Sequence, residues 1–359
     1  MNTHVVIQTA FIGDVFLSVP FLQKLRELFP QDKIVYVAKK NVGQFLKIYG
    51  FIDDLVEVEK GHRQSYKIAL DYLAKFKIQN VFCLHRSLRS SLFTLQINAN
   101  AKFGYDNLIN RFLFSQVVGY PKKFPDALRQ MSLLTLVSDH FKAQYELTDW
   151  SYLNNKNSQN NFEPIPVGYG YNKVVSDSND NLKSFLNKTE SKKNIALFPG
   201  SVWETKKWPV EYYIQLAQRL VPHYHVYIMG GPDESNLAHT IKSSVPEVVV
   251  LAGRLKLVES IMILNFFDLV ICNDSSPSHM ATFLNKPVVS IFGPTTLDLG
   301  FRPWGDFVKV IENNKLDCRP CGLHGHRQCP LRHHKCMRDI DVNAVLDAAE
   351  FFLKSTKLV

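Results

Sequence analysis

The chain has 359 residues, 46% hydrophobic and 21% charged, an ordinary balance for a soluble protein and enough length for two domains with separate cores. Its formal net charge is +9, and no uninterrupted apolar run approaches the roughly 18 residues of a membrane span. The N-terminus MNTHVVIQTA has no basic region ahead of its apolar residues and reads as a first strand, not a signal peptide, so a cytoplasmic protein is expected.

The first 150 residues alternate strand-like and helix-like segments. HVVIQT leads into a helical stretch ending at Phe29, followed by strand KIVYVAK and a helix near Val42 to Tyr49. DLVEVEK, a helix from Ser65 to Phe76 and strand NVFCLH continue the series. Short apolar strands separated by helices imply a parallel sheet covered on both faces. Pro20 falls inside the first helix and predicts a kink there.

From about 151 to 193 the composition shifts to Asn and Ser, in SYLNNKNSQNN and SDSNDN, which marks an interdomain connection. A second alternating series follows: strand NIALF, helix VEYYIQLAQRLV, strand HVYIM, helix SNLAHTIKSSV and strand VVVLAG. A helix around Val258 to Phe267, strand DLVICND, a helix from Pro277 to Leu284 and strand PVVSIFG complete it. VNAVLDAAEFFLKS is an amphipathic final helix. The boundaries are therefore 1–170, 194–338 and a helix over 339–359.

Three strand ends in the second half carry polar chemistry, and parallel α/β sheets bind ligands at that edge. CNDSSPSHMA places Asp274, Ser275, Ser276 and His279 at a helix start, where free N–H groups suit a phosphate. The same acid and serines would serve equally as N-caps without a ligand. PGSVWETKKWP offers Gly200, Ser201, Lys206 and Lys207, either to a diphosphate or as solvated loop charge. MGGPDE adds Gly231, Asp233 and Glu234, where an acid suits a ribose hydroxyl. In the first half, QTAFIGDVFLSVP carries one glycine and then Asp14, read as an N-cap of the following helix. Arg86 and Arg89 after NVFCL, and Arg129, are candidates for an anionic partner or ordinary surface arginines.

Taken together and in order, FIGD, PGSVWETKKWP, the glycine and acid after HVYIMGG, NDSSPSHMA, VVSIFGPT and DCRPC…CPLRHHKCM resemble glycosyltransferase family 9. The resemblance runs from residue 8 to 338 and is most similar to the heptosyltransferase II branch. It implies a GT-B fold, two Rossmann-like parallel-sheet domains facing across a cleft, with the first binding the acceptor and the second the nucleotide sugar. It implies inverting, metal-independent transfer of L-glycero-D-manno-heptose from ADP-heptose to the heptosyl-Kdo-lipid A inner core of lipopolysaccharide. Peripheral contact with the cytoplasmic face of the inner membrane would follow from that acceptor. By motif, Asp14 is similar to the family's general base and Lys206 to the lysine that neutralises the departing diphosphate, with Ser201 near the same phosphates. Asp274, Ser275, Ser276 and His279 match its nucleotide-sugar loop, although Ser275-Ser276 stands where many relatives have Thr-Gly. A helix start favours the ionised form of Asp14, so its use as a base is expected to rest on placement and not on a raised pKa. Another sugar nucleotide or core acceptor is the alternative within the family.

Between Phe301 and Arg338 eight Lys/Arg stand against three Asp/Glu, with four histidines interspersed. Cys318, Cys321, Cys329 and Cys336 form C-x₂-C-x₇-C-x₆-C there. That spacing permits structural zinc, but the resemblance requires no cofactor, so a metal is not favoured. Read alone, the segment suits a nucleic-acid-binding zinc module, an alternative of another class; the family resemblance points to no nucleic-acid partner. Neither half shows G-x-G-x-x-G, which disfavours a dehydrogenase. Asp339-Ile340-Asp341 is expected to cap the last helix, and Cys83 and Cys272 to lie in the core.

Overall fold

The computed structural model describes residues 1–147, 180–186 and 192–354. Most of the expected connection over 151–193 lies outside the described residues. The chain divides into two compact units, Met1–Ser158 and Gln159–Val359.

The first unit is built on six parallel strands: β1 (Thr3–Gln8), β2 (Lys33–Lys39), β3 (Asp54–Val58), β4 (Ile78–Cys83), β5 (Ala101–Tyr105) and β6 (Gln116–Val118), in the order β3-β2-β1-β4-β5-β6. The second repeats this plan with β7 (Asn194–Phe198), β8 (His225–Ile228), β9 (Val249–Val250), β10 (Leu269–Asn273), β11 (Val288–Phe292) and β12 (Val308–Glu312), in the order β12-β11-β10-β7-β8-β9. Both expected parallel-sheet units are therefore present. In each, the order reverses between two neighbours, β1 and β4 in one sheet and β10 and β7 in the other. The connections leaving such a pair run to opposite faces and leave a crevice at the carboxyl ends of the strands.

Burial follows the pleat. Val5, Ile7, Val35, Val37 and Val81 share one core cluster with Leu73 and Phe93 from the helices Arg63–Leu73 and Leu88–Gln96. Every residue of β1 is buried, as a central parallel strand with both faces covered requires. In the second unit Ile195, Leu197, Ile271 and Val289 pack with Trp208, Leu216 and Leu220. The final helix, Val342–Lys354, adds Val345, Ala349 and Phe352 to that same core. Asp341 caps it by accepting from the Asn343 N–H at 2.8 Å. Cys83 and Cys272 are buried in strands.

The first helix departs from expectation by breaking instead of kinking. One helix covers Ile12–Phe16 and a second Val19–Leu28. Pro20 has no N–H to give to the Phe16 carbonyl, and its ring crowds that carbonyl, so the first helix ends there. The proline then occupies the first turn of the second helix, where its missing N–H costs nothing. Among the described residues no helix is long and apolar enough to cross a membrane.

Trp208 joins the second unit's core to its polar edge. It is fully buried, its indole N–H donates to the Ile340 carbonyl at 3.1 Å, and its backbone N–H donates to Asn273 Oδ1 at 3.0 Å. Trp208→Ala is expected to cost about 3–5 kcal/mol in urea denaturation, and Trp208→Phe appreciably less. A loss below about 1 kcal/mol for the alanine variant would contradict this packing.

Candidate active site

The order reversal in the second sheet brings together the loops after β7 and β10. Lys206 ends a short 3-10 turn, Glu204–Lys206, and its ammonium lies 2.6 Å from Asp274 Oδ2. Both side chains are largely buried, and the Thr295 hydroxyl also donates to that carboxylate. An ammonium has three donors, so the contact with Asp274 uses one of them. Asp274 precedes the helix Ser276–Phe283. Ser275 stands at its N-cap position in extended geometry but makes no side-chain cap, and its hydroxyl turns back to the Asn273 carbonyl. Pro277 contributes no N–H and the Ser278 N–H donates to the Ser275 carbonyl at 3.1 Å, so only part of this start, which has no side-chain cap, is open to an anion. Inside that helix His279 is buried, and its pKa is pushed down to about 4. Burial is the main cause, Lys206 adds to it and Asp274 opposes it. At neutral pH the ring is uncharged.

Asn273 holds this site together. Fully buried, it accepts from the Trp208 N–H and the Tyr213 hydroxyl, and its amide donates to the carbonyls of Pro199 and Gly200 at 2.9 and 3.1 Å. One side chain thus fixes the start and the end of the Lys206 loop against β10. Glu234 braces the other side: its Oε2 accepts from the Gly231 N–H at 2.7 Å. A Cβ on Gly200 would overlap the Glu234 carboxyl, so Gly200 is glycine here to make room for a neighbouring side chain. Ser201 accepts from the Trp203 N–H at 3.3 Å, and Asp233 is exposed.

The cysteine-bearing segment packs against the same loops. The Thr205 hydroxyl and N–H donate to the His326 carbonyl at 2.8 and 3.1 Å, and the His326 N–H returns to that hydroxyl. His334 Nε2 lies 2.8 Å from the Thr205 carbonyl. Arg319 is buried and gathers the carbonyls of Gly293, Asn313 and Thr295 and the Glu312 carboxylate. His324 stacks parallel to Trp203, with centroids 6.2 Å apart. All four cysteines of the segment are free thiols; Cys336 is buried, and burial pushes its pKa up to about 11. Among the described residues no three of His, Cys, Asp or Glu are arranged to hold a metal ion.

In the first sheet the corresponding edge carries Asp14 after β1 and His85 after β4. Thr9, His85, Ser87 and Ser90 form a hydroxyl–imidazole cluster with contacts of 2.9 to 3.3 Å that ties the two loops. The pKa of His85 is driven down to about 4, mainly by burial and further by Lys60 and Arg89. Arg86 lies over the Tyr120 ring at 3.9 Å, and Arg89 is exposed.

Residues 76–333 match the family described as glycosyltransferase family 9 (heptosyltransferase). The chain belongs to glycosyltransferase family 9. It is 31% identical over 173 residues to lipooligosaccharide heptosyltransferase 2 of Campylobacter jejuni, a match spanning 46% of this chain and about half, 53%, of that relative. In structure it superposes on Escherichia coli ADP-heptose heptosyltransferase II with a TM-score of 0.75 at 20% identity, covering 99% of each chain. An E. coli heptosyltransferase with ADP gives a TM-score of 0.70 at 16% identity, covering 98% and 99%. These likenesses establish the fold.

Three expectations for this family 9 chain need correction. Asp14 is not the N-cap: Phe11 holds that position, and Asp14, at the third helical residue, accepts from the Phe11 N–H at 3.1 Å. Nor is its ionised form favoured. Burial and the like charge of Asp126 push its pKa up to about 7, against the opposing pull of the Phe11 and Asp14 N–H groups and Lys60. A five-residue helix has too few aligned peptides to reverse that. Arg129 is buried and spends its guanidinium on the Tyr120 hydroxyl and the Lys122 carbonyl, so it braces the unit where an acceptor contact was expected. The reading from sequence missed Asn273, Thr295, Arg319 and His324 in one unit and Lys60, His85, Asp126 and Gln130 in the other. NDSS and HHKC were visible signals, but partner identity needs the fold.

Gly200→Ala is expected to lower stability by about 1–3 kcal/mol in urea denaturation, because the Glu234 carboxyl must move. Gly200→Ala combined with Glu234→Ala should recover a good part of that loss. Equal losses in the single and double variants would contradict the packing.

Proposed function

We propose that the chain catalyses inverting, metal-independent transfer of L-glycero-D-manno-heptose from ADP-heptose to the heptosyl-Kdo-lipid A inner core of lipopolysaccharide. The observation that carries this is the assembly of Lys206, Asp274 and His279 around an uncapped helix start in one Rossmann unit. Family membership and the ADP named with a structural neighbour support a nucleotide-heptose donor.

The charges fit the reaction. As the bond from the anomeric carbon to the diphosphate breaks, negative charge grows on ADP. Lys206 has two donors beyond its contact with Asp274, and the helix start adds the positive end of its dipole, so the leaving group meets preorganised positive charge. Asp274, with its hydrogen bond from Thr295, keeps the ammonium in place before the donor arrives. The neutral His279 adds a hydrogen-bonding group without a counter-charge to displace. Asp14, as general base, removes the proton of the attacking acceptor hydroxyl. A carboxylate with a pKa near 7 is better matched to that task than an ordinary one. Arg86 and Arg89 supply positive charge for the carboxylates and phosphates of an inner-core acceptor. The acceptor places the enzyme in the cytoplasm, in peripheral contact with the inner membrane.

An in vitro assay with ADP-heptose and a heptose-deficient core acceptor, read by mass, tests the reading. A heptose-sized mass increment is expected with the wild type. Asp14→Ala should lose about 10²–10⁴-fold in kcat. Lys206→Ala should lose a comparable factor. No product from the wild type, or near-normal turnover by Asp14→Ala, would overturn it.

The pH profile provides a second test. Asp14 is active deprotonated, so kcat/KM should rise about tenfold per pH unit below about pH 7 and level off above it. An acid limb near pH 4 would contradict the raised pKa.

A further inference from the structure

Asp126 opens the helix Asp126–Met131 and is buried despite its charge. Its Oδ2 accepts from Gln130 Nε2 at 2.6 Å, and its Oδ1 accepts from the Tyr120 hydroxyl at 3.3 Å. Arg129 Nη1 stands 4.0 Å away. The same Gln130 amide nitrogen donates at 3.3 Å to the backbone carbonyl of Asp14, 116 residues earlier in the chain. An amide has two hydrogens on that nitrogen, so one buried side chain links the Asp14 turn directly to a second carboxylate. A buried acid is costly unless it is held by donors, and here Gln130 and Tyr120 supply them.

We propose that Asp126 is a positioning residue of the acid–base centre, holding the Asp14 turn through Gln130 and lending it a neighbouring negative charge. This rests on the reading of Asp14 as the base. Two carboxylates in one site ionise in sequence, the better supported one first. Burial pushes the Asp126 carboxyl above its ordinary range, and Gln130, Arg129, Tyr120 and Arg86 oppose that by favouring its charge. Asp14 has the Phe11 N–H and its own. Lys60 faces Asp14 from the loop after β3 and favours its ionised form, while its own ammonium is disfavoured first by burial and then by Lys39 and Arg89. Tyr36, on β2, lies within electrostatic reach, and burial keeps its hydroxyl protonated. Of these groups only Asp126 adds like charge to Asp14. An Asp14 without that neighbour would be a weaker base, ionised at lower pH and less able to take a proton from a sugar hydroxyl.

The test is an NMR titration of the Asp14 side-chain carboxyl in the ligand-free, full-length protein, with Asp14→Asn to assign the signal. It does not depend on turnover, whereas the transfer assay tests the reading of the reaction separately. In the wild type the signal should titrate near pH 7. In Asp126→Asn it should move down by about one pH unit or more, and the acid limb of kcat/KM should move with it. Asp126→Glu, which keeps the charge, should retain a limb near the wild-type position. Should Asp126→Asn fail to fold, Gln130→Met removes a hydrogen bond that favours ionised Asp126 and is expected to move Asp14 in the same direction. A folded variant of either kind in which Asp14 titrates as in the wild type overturns the proposal.

Discussion

The architecture of both sites depends on one topological constraint. Each sheet grows outward in two directions from a central pair of parallel strands, and the loops leaving that pair run to opposite faces. Between them the strand ends and nearby helix starts present backbone groups that no neighbouring loop satisfies. In this chain the constraint operates twice, at β1 and β4 and at β7 and β10. The residues delivered differ in charge. One edge receives two carboxylates with basic side chains around them, and the other receives an ammonium, a paired carboxylate and an uncapped helix.

The Lys206–Asp274 pair shows how such an edge is kept ready. Burying an ion pair gains little stability over an apolar pair, but removing one partner leaves a charge uncompensated, at a cost of about 3–5 kcal/mol. The pair therefore fixes the ammonium in position in the absence of any anion. The Asn273 and Thr205 contacts hold the loop that carries it, and the cysteine-bearing segment provides the partners of Thr205. That gives the segment a packing role, with its Arg319 gathering three carbonyls.

Much of this was legible from sequence because period and spacing are local. The alternation of apolar runs gave two parallel sheets, and PGSVWETK and NDSSPSH marked the strand ends that meet at β7 and β10. The strands β5, β6 and β12, AKFGY, QVV and VKVIE, were not recognised. The electrostatics of Asp14 were read with the wrong sign. A helix-start argument uses only neighbours in sequence, whereas Asp126 is remote in the chain and acts through the fold. Arg129 failed for the same reason: a charged residue in a polar loop looks available until its partners are known. Gly200 was assigned to a ligand's approach, while the space it leaves is taken by Glu234.

The central claim is a division of labour, with the base in the first unit and the diphosphate site in the second. Calorimetric titration of ADP into the wild type, Asp14→Ala and Lys206→Ala tests it most directly. The account predicts ADP affinity within about twofold of wild type for Asp14→Ala and about tenfold or more weaker for Lys206→Ala. Loss of ADP affinity in Asp14→Ala, or full affinity in Lys206→Ala, would contradict it.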